Sequence, residues 1–176
     1  MRIGNFRPAA GVAALFVAGC VGGCASTGAF DGTVYHGSYT SFRLSPVPTT
    51  WQRVTLPAAD LAFRDEPHVA SILINSRCTT RDRDAPLLSL TEHLIIGTTD
   101  RQVSREETIP FDAREARHTL LRARLDGVPM AYDIYVLKKD GCVFDFVYVA
   151  PPEVGDSGRD QFETFVGGFH TISGSG

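Results

Sequence analysis

The chain has 176 residues, 43% of them apolar and 21% charged, with a formal net charge of −3. That length suits one domain with a real core, and that composition excludes a disordered chain. A mildly acidic balance excludes nucleic-acid binding driven by a basic face, and four cysteines are too few for a disulfide scaffold.

Residues 1–19 read as an address. Arg2 and Arg7 form a positive start, and Ala9 to Gly19 is a run of small and apolar residues. That run is far shorter than the ~20 residues that span a bilayer, so it reads as a secretory signal. It leads to Val17-Ala18-Gly19-Cys20, which resembles a bacterial lipobox. The resemblance implies cleavage before Cys20 and acylation of that cysteine on its sulfur and new amine. Such chains stably anchor a protein to a membrane. Val21-Gly22-Gly23-Cys24 is a rival site, but Cys20 has the better small residue two positions before it and follows the apolar run directly. Neither cysteine precedes an Asp, which by likeness to enterobacterial sorting implies the outer membrane, periplasmic side. Cleavage removes two arginines and takes the charge from −3 to −5. Residues 20–32 read as a lipidated flexible tether, residues 33–172 as one domain, and residues 173–176 as a tail.

Within the domain, 33–44 and 51–56 suggest an edge hairpin, broken by Pro46, Pro48 and Pro57. Leu61 to Arg64 and Val69 to Ser76 read as strands, the second apolar enough to be covered on both sides. A helix is expected from Pro86 to Ile96, capped by Asp84 and ended by Gly97. The mixed charges of 77–84 read as a solvated loop before it. Residues 117–150 form a three-stranded meander around Asp126-Gly127 and Asp140-Gly141, since Asp-Gly between β-prone runs is a strong hairpin signal. A last helix is expected from Gly158 to Phe169, capped by Asp156 or Ser157. Phe162, Phe165, Val166 and Phe169 form its apolar stripe. The fold class is α+β: an antiparallel sheet packed by two helices.

Strand alternation sorts the meander into two faces. Leu121, Ala123, Met130, Tyr132, Ile134, Val136, Val143, Val147 and Val149 share an aliphatic face expected to pack under helices. Leu120, Arg122, Asp133, Tyr135, Phe144, Phe146 and Tyr148 share the other. This aromatic face is either covered by another element or a binding surface formed by Tyr135, Phe144, Phe146 and Tyr148. Asp133 is expected to pair with Arg122. Asp145 falls on the aliphatic face, where a buried carboxylate needs a donor or a shifted pKa.

The chain resembles the PsbP-like superfamily of α/β/α sandwiches over about residues 38–172. The likeness lies in Trp51, Leu61-Ala62-Phe63, the helix at 86–97, Leu125-Asp126-Gly127, Val136-Leu137-Lys138, Cys142 to Phe146 and Phe162 to Phe169. It implies a mostly non-enzymatic protein that binds other proteins or assists assemblies. Metal sites belong to the photosynthetic branch, but their ligands are not matched here and no cofactor is carried over.

The candidate chemistry is sparse. Cys78 and Cys142 sit at strand ends in an oxidising compartment, so they form either a disulfide or two separate thiols. His36, His68, His93, His118 and His170 show no metal-ligand spacing, and read as solvated or capping residues. No nucleophile elbow or phosphate loop is present. The expected function is a non-catalytic accessory module of an envelope assembly or transport complex, with a protein partner and no nucleic acid. The alternative is a carrier of a small apolar or lipid ligand, held between the last helix and the aromatic face by Phe144, Phe146, Tyr148, Phe162 and Phe165.

Overall fold

A computed structural model describes residues 28–172 except 81 and 83. Cys20, Cys24 and the residues from 173 onward lie outside the described residues. Four short strands, β1 (Ala29–Phe30), β2 (Val34–His36), β3 (Ser41–Arg43) and β11 (His170–Ile172), form a small sheet in the order β1-β2-β3-β11. The main sheet has seven antiparallel strands in the order β4-β5-β6-β10-β9-β8-β7. These are β4 (Trp51–Val54), β5 (Leu61–Asp65), β6 (Ala70–Arg77), β7 (Thr98–Phe111), β8 (Arg114–Leu125), β9 (Val128–Lys139) and β10 (Cys142–Ala150). Helix α1 (Leu87–Leu94) lies on one face of this sheet, and α2 (Gly155–Gly167) with the small sheet on the other.

The meander has four strands rather than three. Its Asp-Gly turns form with positive φ at Asp126, Gly127, Asp140 and Gly141. A third turn, Asp112-Ala113, adopts φ of 46° and 58° without a glycine and joins β7 to β8. Asp112 also ties this turn to β11. His170 Nδ1 lies 2.6 Å from its carboxylate, the Thr171 N–H donates to it at 3.1 Å, and Lys139 Nζ lies 2.6 Å away. Burial works to raise the Asp112 pKa, but these donors outweigh it and hold the carboxyl below its ordinary value.

Other boundaries shift for physical reasons. Ala29–Phe30 pairs with His36 and Tyr35, so a strand lies inside the expected tether. Phe30 packs edge-on against Phe63 and carries Arg53 over its ring. Helix α1 starts at Leu87 behind Pro86, with no side-chain cap from Asp84. Helix α2 starts earlier than expected and ends at Gly167. A Cβ at Gly168 would come 2.4 Å from the Ser45 backbone nitrogen, so only glycine lets the chain turn there into β11. Cys78 and Cys142, beside the adjacent ends of β6 and β10, form a disulfide.

Alternation assigns the faces as expected, but their coverings differ. Tyr135, Phe144, Phe146 and Tyr148 all pack in the core with Phe162, Phe165, Val166 and Phe169. Of the two expectations for this face, covered or binding, the covered one holds: the small sheet and α2 lie over it, and Tyr135, Phe144, Phe146 and Tyr148 are not an open binding face. Ring contacts such as Phe144–Phe169 at 4.9 Å and Tyr148–Phe162 at 5.5 Å fill the space where an apolar ligand would sit. The aliphatic face is covered less completely. Eight-residue α1 is about 12 Å long, while the twelve-residue β8 and β9 each run about 40 Å.

Candidate functional site

Two regions can carry function: a buried polar group under α2 and the open part of the aliphatic face.

The first grows from the strand register. Leu120 faces Asp133 and His118 faces Tyr135, so His118 and Asp133 are diagonal neighbours on one face. Helix α2 lays Arg159 and Glu163 over them. These residues are four apart and so share one side of the helix. His118 Nε2 lies 2.8 Å from Asp133 Oδ1, and its ring stacks on Tyr135 with centroids 4.1 Å apart. Its Nδ1 faces Glu107 on β7, directly opposite in register, at 3.6 Å. Both ring nitrogens therefore face carboxylates, and neither addresses a hydroxyl or thiol as a nucleophile–base pair requires. Arg159 Nε lies 3.8 Å from Asp133 Oδ2, while its Nη2 is held by Asp156 at 2.5 Å. The expected Asp133–Arg122 pair does not form. Arg122 stands opposite Ala131 on the strand surface, exposed to solvent. His118 is buried rather than solvated.

This group continues along α2. Tyr148 and Asp65 are buried beside it, and Asp65 Oδ2 lies 2.6 Å from His68 Nδ1. Gly158 lets the helix come this close, since a Cβ there would stand 2.3 Å from the Tyr148 hydroxyl oxygen. Burial, with the Asp65 charge adding to it, pushes the Tyr148 hydroxyl up to about 12. Among the described residues, Asp133 Oδ2, Asp65 Oδ1 and the Tyr148 hydroxyl make no hydrogen bond. Ligand atoms of His118, Asp133 and Glu163 all lie within 4.8 Å of one another. A cleft of about 430 Å³, lined by Gln102, Ser104, Arg122 and Arg159, opens beside this group. No sequence pattern reveals this polar group, because Asp65, Glu107, His118, Asp133 and Tyr148 come from five strands and Arg159 and Glu163 from a helix.

The second region lies on the opposite face, past the end of α1. Ile96 is 67% exposed, Val128 57%, Val103 53% and Leu125 41%. Leu125 pairs with both Val128 and Thr98, which brings the chain after Ile96 beside the β8–β9 turn. Met130, Val147 and Val149 are half-buried on the same face. At the other end of this face, Asp145 is buried and bonded to Arg77, which Asp82 also engages. Burial raises the Asp145 pKa, and Arg77 opposes that rise.

No family model matches the chain. No curated protein matches it either. Solved structures do. The cyanobacterial PsbP (CyanoP) of Synechocystis sp. PCC 6803 superposes with a TM-score of 0.60 at 15% identity, over 88% of this chain and 100% of that one. The chain has a PsbP-like fold. LpqN, involved in cell envelope biogenesis of Mycobacterium tuberculosis, gives a TM-score of 0.55 at 13% identity, over 78% of this chain and 88% of that one. A Bacteroides thetaiotaomicron protein gives 0.55 at 9% identity, over 77% of this chain and 46% of that one. At these identities the likeness is one of fold.

Proposed function

We propose that this chain is a lipid-anchored, non-catalytic accessory module of the bacterial cell envelope that docks a partner protein on the open aliphatic face. The observation that carries the docking is the strip of Ile96, Leu125 and Val128, left bare beyond a helix too short to cover its sheet. Contiguous exposed apolar side chains mark interaction surfaces on soluble domains. The anchoring rests on the Val17-to-Cys20 motif, with Cys24 as the rival acceptor. The Cys78–Cys142 disulfide suits an oxidising compartment outside the cytoplasm. The fold of LpqN offers a parallel in an envelope setting. Placement at the outer membrane, facing the periplasm, rests on the residue after the lipidated cysteine. The carrier reading is not kept, because the aromatic interface it needs is filled by side chains.

The test joins fractionation to complex size. Cys20→Ser is expected to release the protein from membranes, and mass spectrometry is expected to find acyl chains on Cys20 of the processed wild type. Leu125→Asp with Val128→Asp is expected to keep the protein on the membrane but collapse its detergent-solubilised complex to the size of the lone chain. A wild type that already runs as a lone chain, or a complex unchanged by the double substitution, overturns the docking.

A further inference from the structure

We propose that the tip of the β2–β3 hairpin rests on the lipid surface that holds the anchor, with the Tyr39 ring in the headgroup region. This rests on the lipid-anchored reading above and adds which end of the domain faces the membrane. The first observation is where the chain leaves the domain. Ala29 pairs with His36, so Gly28 stands beside Gly37, the first residue of the hairpin turn. A Cβ on Gly28 would come 2.1 Å from the Tyr35 hydroxyl oxygen, and one on Gly37 would come 2.8 Å from the ring of the same tyrosine. The exit and the turn therefore pack on one side chain. That side chain is itself fixed, since its hydroxyl donates to Asp60 Oδ1 at 2.9 Å.

The second observation is the length of chain between anchor and exit. Seven residues, 21–27, separate Cys20 from Gly28, and a chain gains at most ~3.3–3.6 Å per residue. The anchor therefore holds Gly28 within about 30 Å of the lipid, and the hairpin turn with it. Linking two contacts makes the second one intramolecular, so a contact too weak to bind by itself is held at high effective concentration.

The third observation is what the turn presents. The Gly37 N–H donates to the Thr40 carbonyl at 3.0 Å, which leaves Ser38 and Tyr39 at the tip. Tyr39 is 88% exposed, more than any other large apolar side chain among the described residues. A lone exposed ring is ordinary on a protein surface; its place beside the exit is what gives it a role. The turn carries no charge, and the processed chain, at −5, is not drawn to anionic headgroups. A neutral ring with a polar hydroxyl suits the membrane interface, apolar at one end and wet at the other. Tyr39, Asp140 and Thr171 line one cleft, which puts the tip at the Asp140 turn. Val128, in the docking margin, begins β9 at its other end, about 40 Å away along the strand. Seating the tip on lipid thus turns the margin away from the membrane.

The test reconstitutes the processed full chain in vesicles of phosphatidylethanolamine and phosphatidylglycerol, with some lipids carrying a nitroxide quencher at headgroup depth, and reads tryptophan emission. Tyr39→Trp places a reporter at the exposed tip and Val128→Trp one at the far end. Trp51 is buried and gives a constant background. Emission from position 39 is expected to shift to the blue and to be lost to the quencher, while emission from position 128 does neither. No quenching at position 39, in a chain that mass spectrometry shows to be acylated, overturns the tip contact alone. Equal quenching at both positions also overturns it, as does a blue shift without quenching, the mark of a ring covered by a second copy. A processed chain without acyl groups overturns the anchoring, and the tip contact with it.

Discussion

The two faces of the seven-stranded sheet come from the same strands, one residue in two, and they end differently. On the aromatic face a thirteen-residue helix and four short strands close over phenylalanine and tyrosine rings. On the aliphatic face an eight-residue helix covers β8 and β9 only in part. The face richer in large rings is the interior, and the face of smaller side chains keeps a bare margin. Large rings bury more area and make more contacts each, so sealing them dominates the stability of the domain. A margin left open on the other side costs little stability and remains available for a partner.

The contrast is sharpest under substitution. Phe162→Ala removes a fully buried ring from the aromatic face and is expected to cost roughly 4–5 kcal/mol in chemical denaturation. A loss below about 1 kcal/mol would mean that the face is not sealed. Next in size is the Cys78–Cys142 bond, which joins the two central strands shared by both faces and closes a loop of separation 64. Replacing both cysteines by serine is expected to cost about 4 kcal/mol, from the loop entropy returned to the unfolded chain.

Arg77→Leu tests the covered end of the aliphatic face. It leaves the buried Asp145 carboxylate without its donor, at an expected cost of roughly 2 kcal/mol near neutral pH, reduced because Arg77 is partly exposed. The sign with pH follows from the raised Asp145 pKa. A carboxyl raised in the folded state favours folding at low pH and loses that contribution as pH rises through its folded pKa. Removing Arg77 raises it further, so the deficit is expected to shrink as pH falls below neutral. A deficit independent of pH would separate Asp145 from the effect. The smallest change is expected at the bare margin, where Val128→Asp should alter stability by no more than about 0.5 kcal/mol.

Much of this fold can be read from residues alone. Asp126-Gly127 and Asp140-Gly141 mark their turns because glycine adopts positive φ freely. Strand alternation sorts the meander side chains onto the correct faces. Strand β7 escapes detection because it is an edge, exposed along nearly its whole length, so its sequence carries no apolar alternation. Its turn also lacks glycine, since Asp112 and Ala113 take positive φ themselves. Coverage cannot be read this way either. Periodicity says which side chains share a face and is silent on which element lies above it. That gap left open whether Tyr135, Phe144, Phe146 and Tyr148 are covered or available. The buried polar group shows the same limit. Asp133 is visible as a carboxylate in an apolar strand, but its neighbours His118, Arg159 and Glu163 are fixed by strand register and by a distant helix. The nearest charge of a plausible strand partner, Arg122, is not the one that meets it.

The central claim is that the bare margin of the aliphatic face meets a partner protein while the aromatic face meets only the rest of its own chain. A photoreactive amino acid placed at Val128 in living cells tests it directly, with exposed Glu153, outside the margin, as the control position. The account predicts one discrete adduct from position 128, absent from position 153 and lost when Leu125→Asp is added. Equal labelling from both positions, or no adduct from position 128, would contradict it.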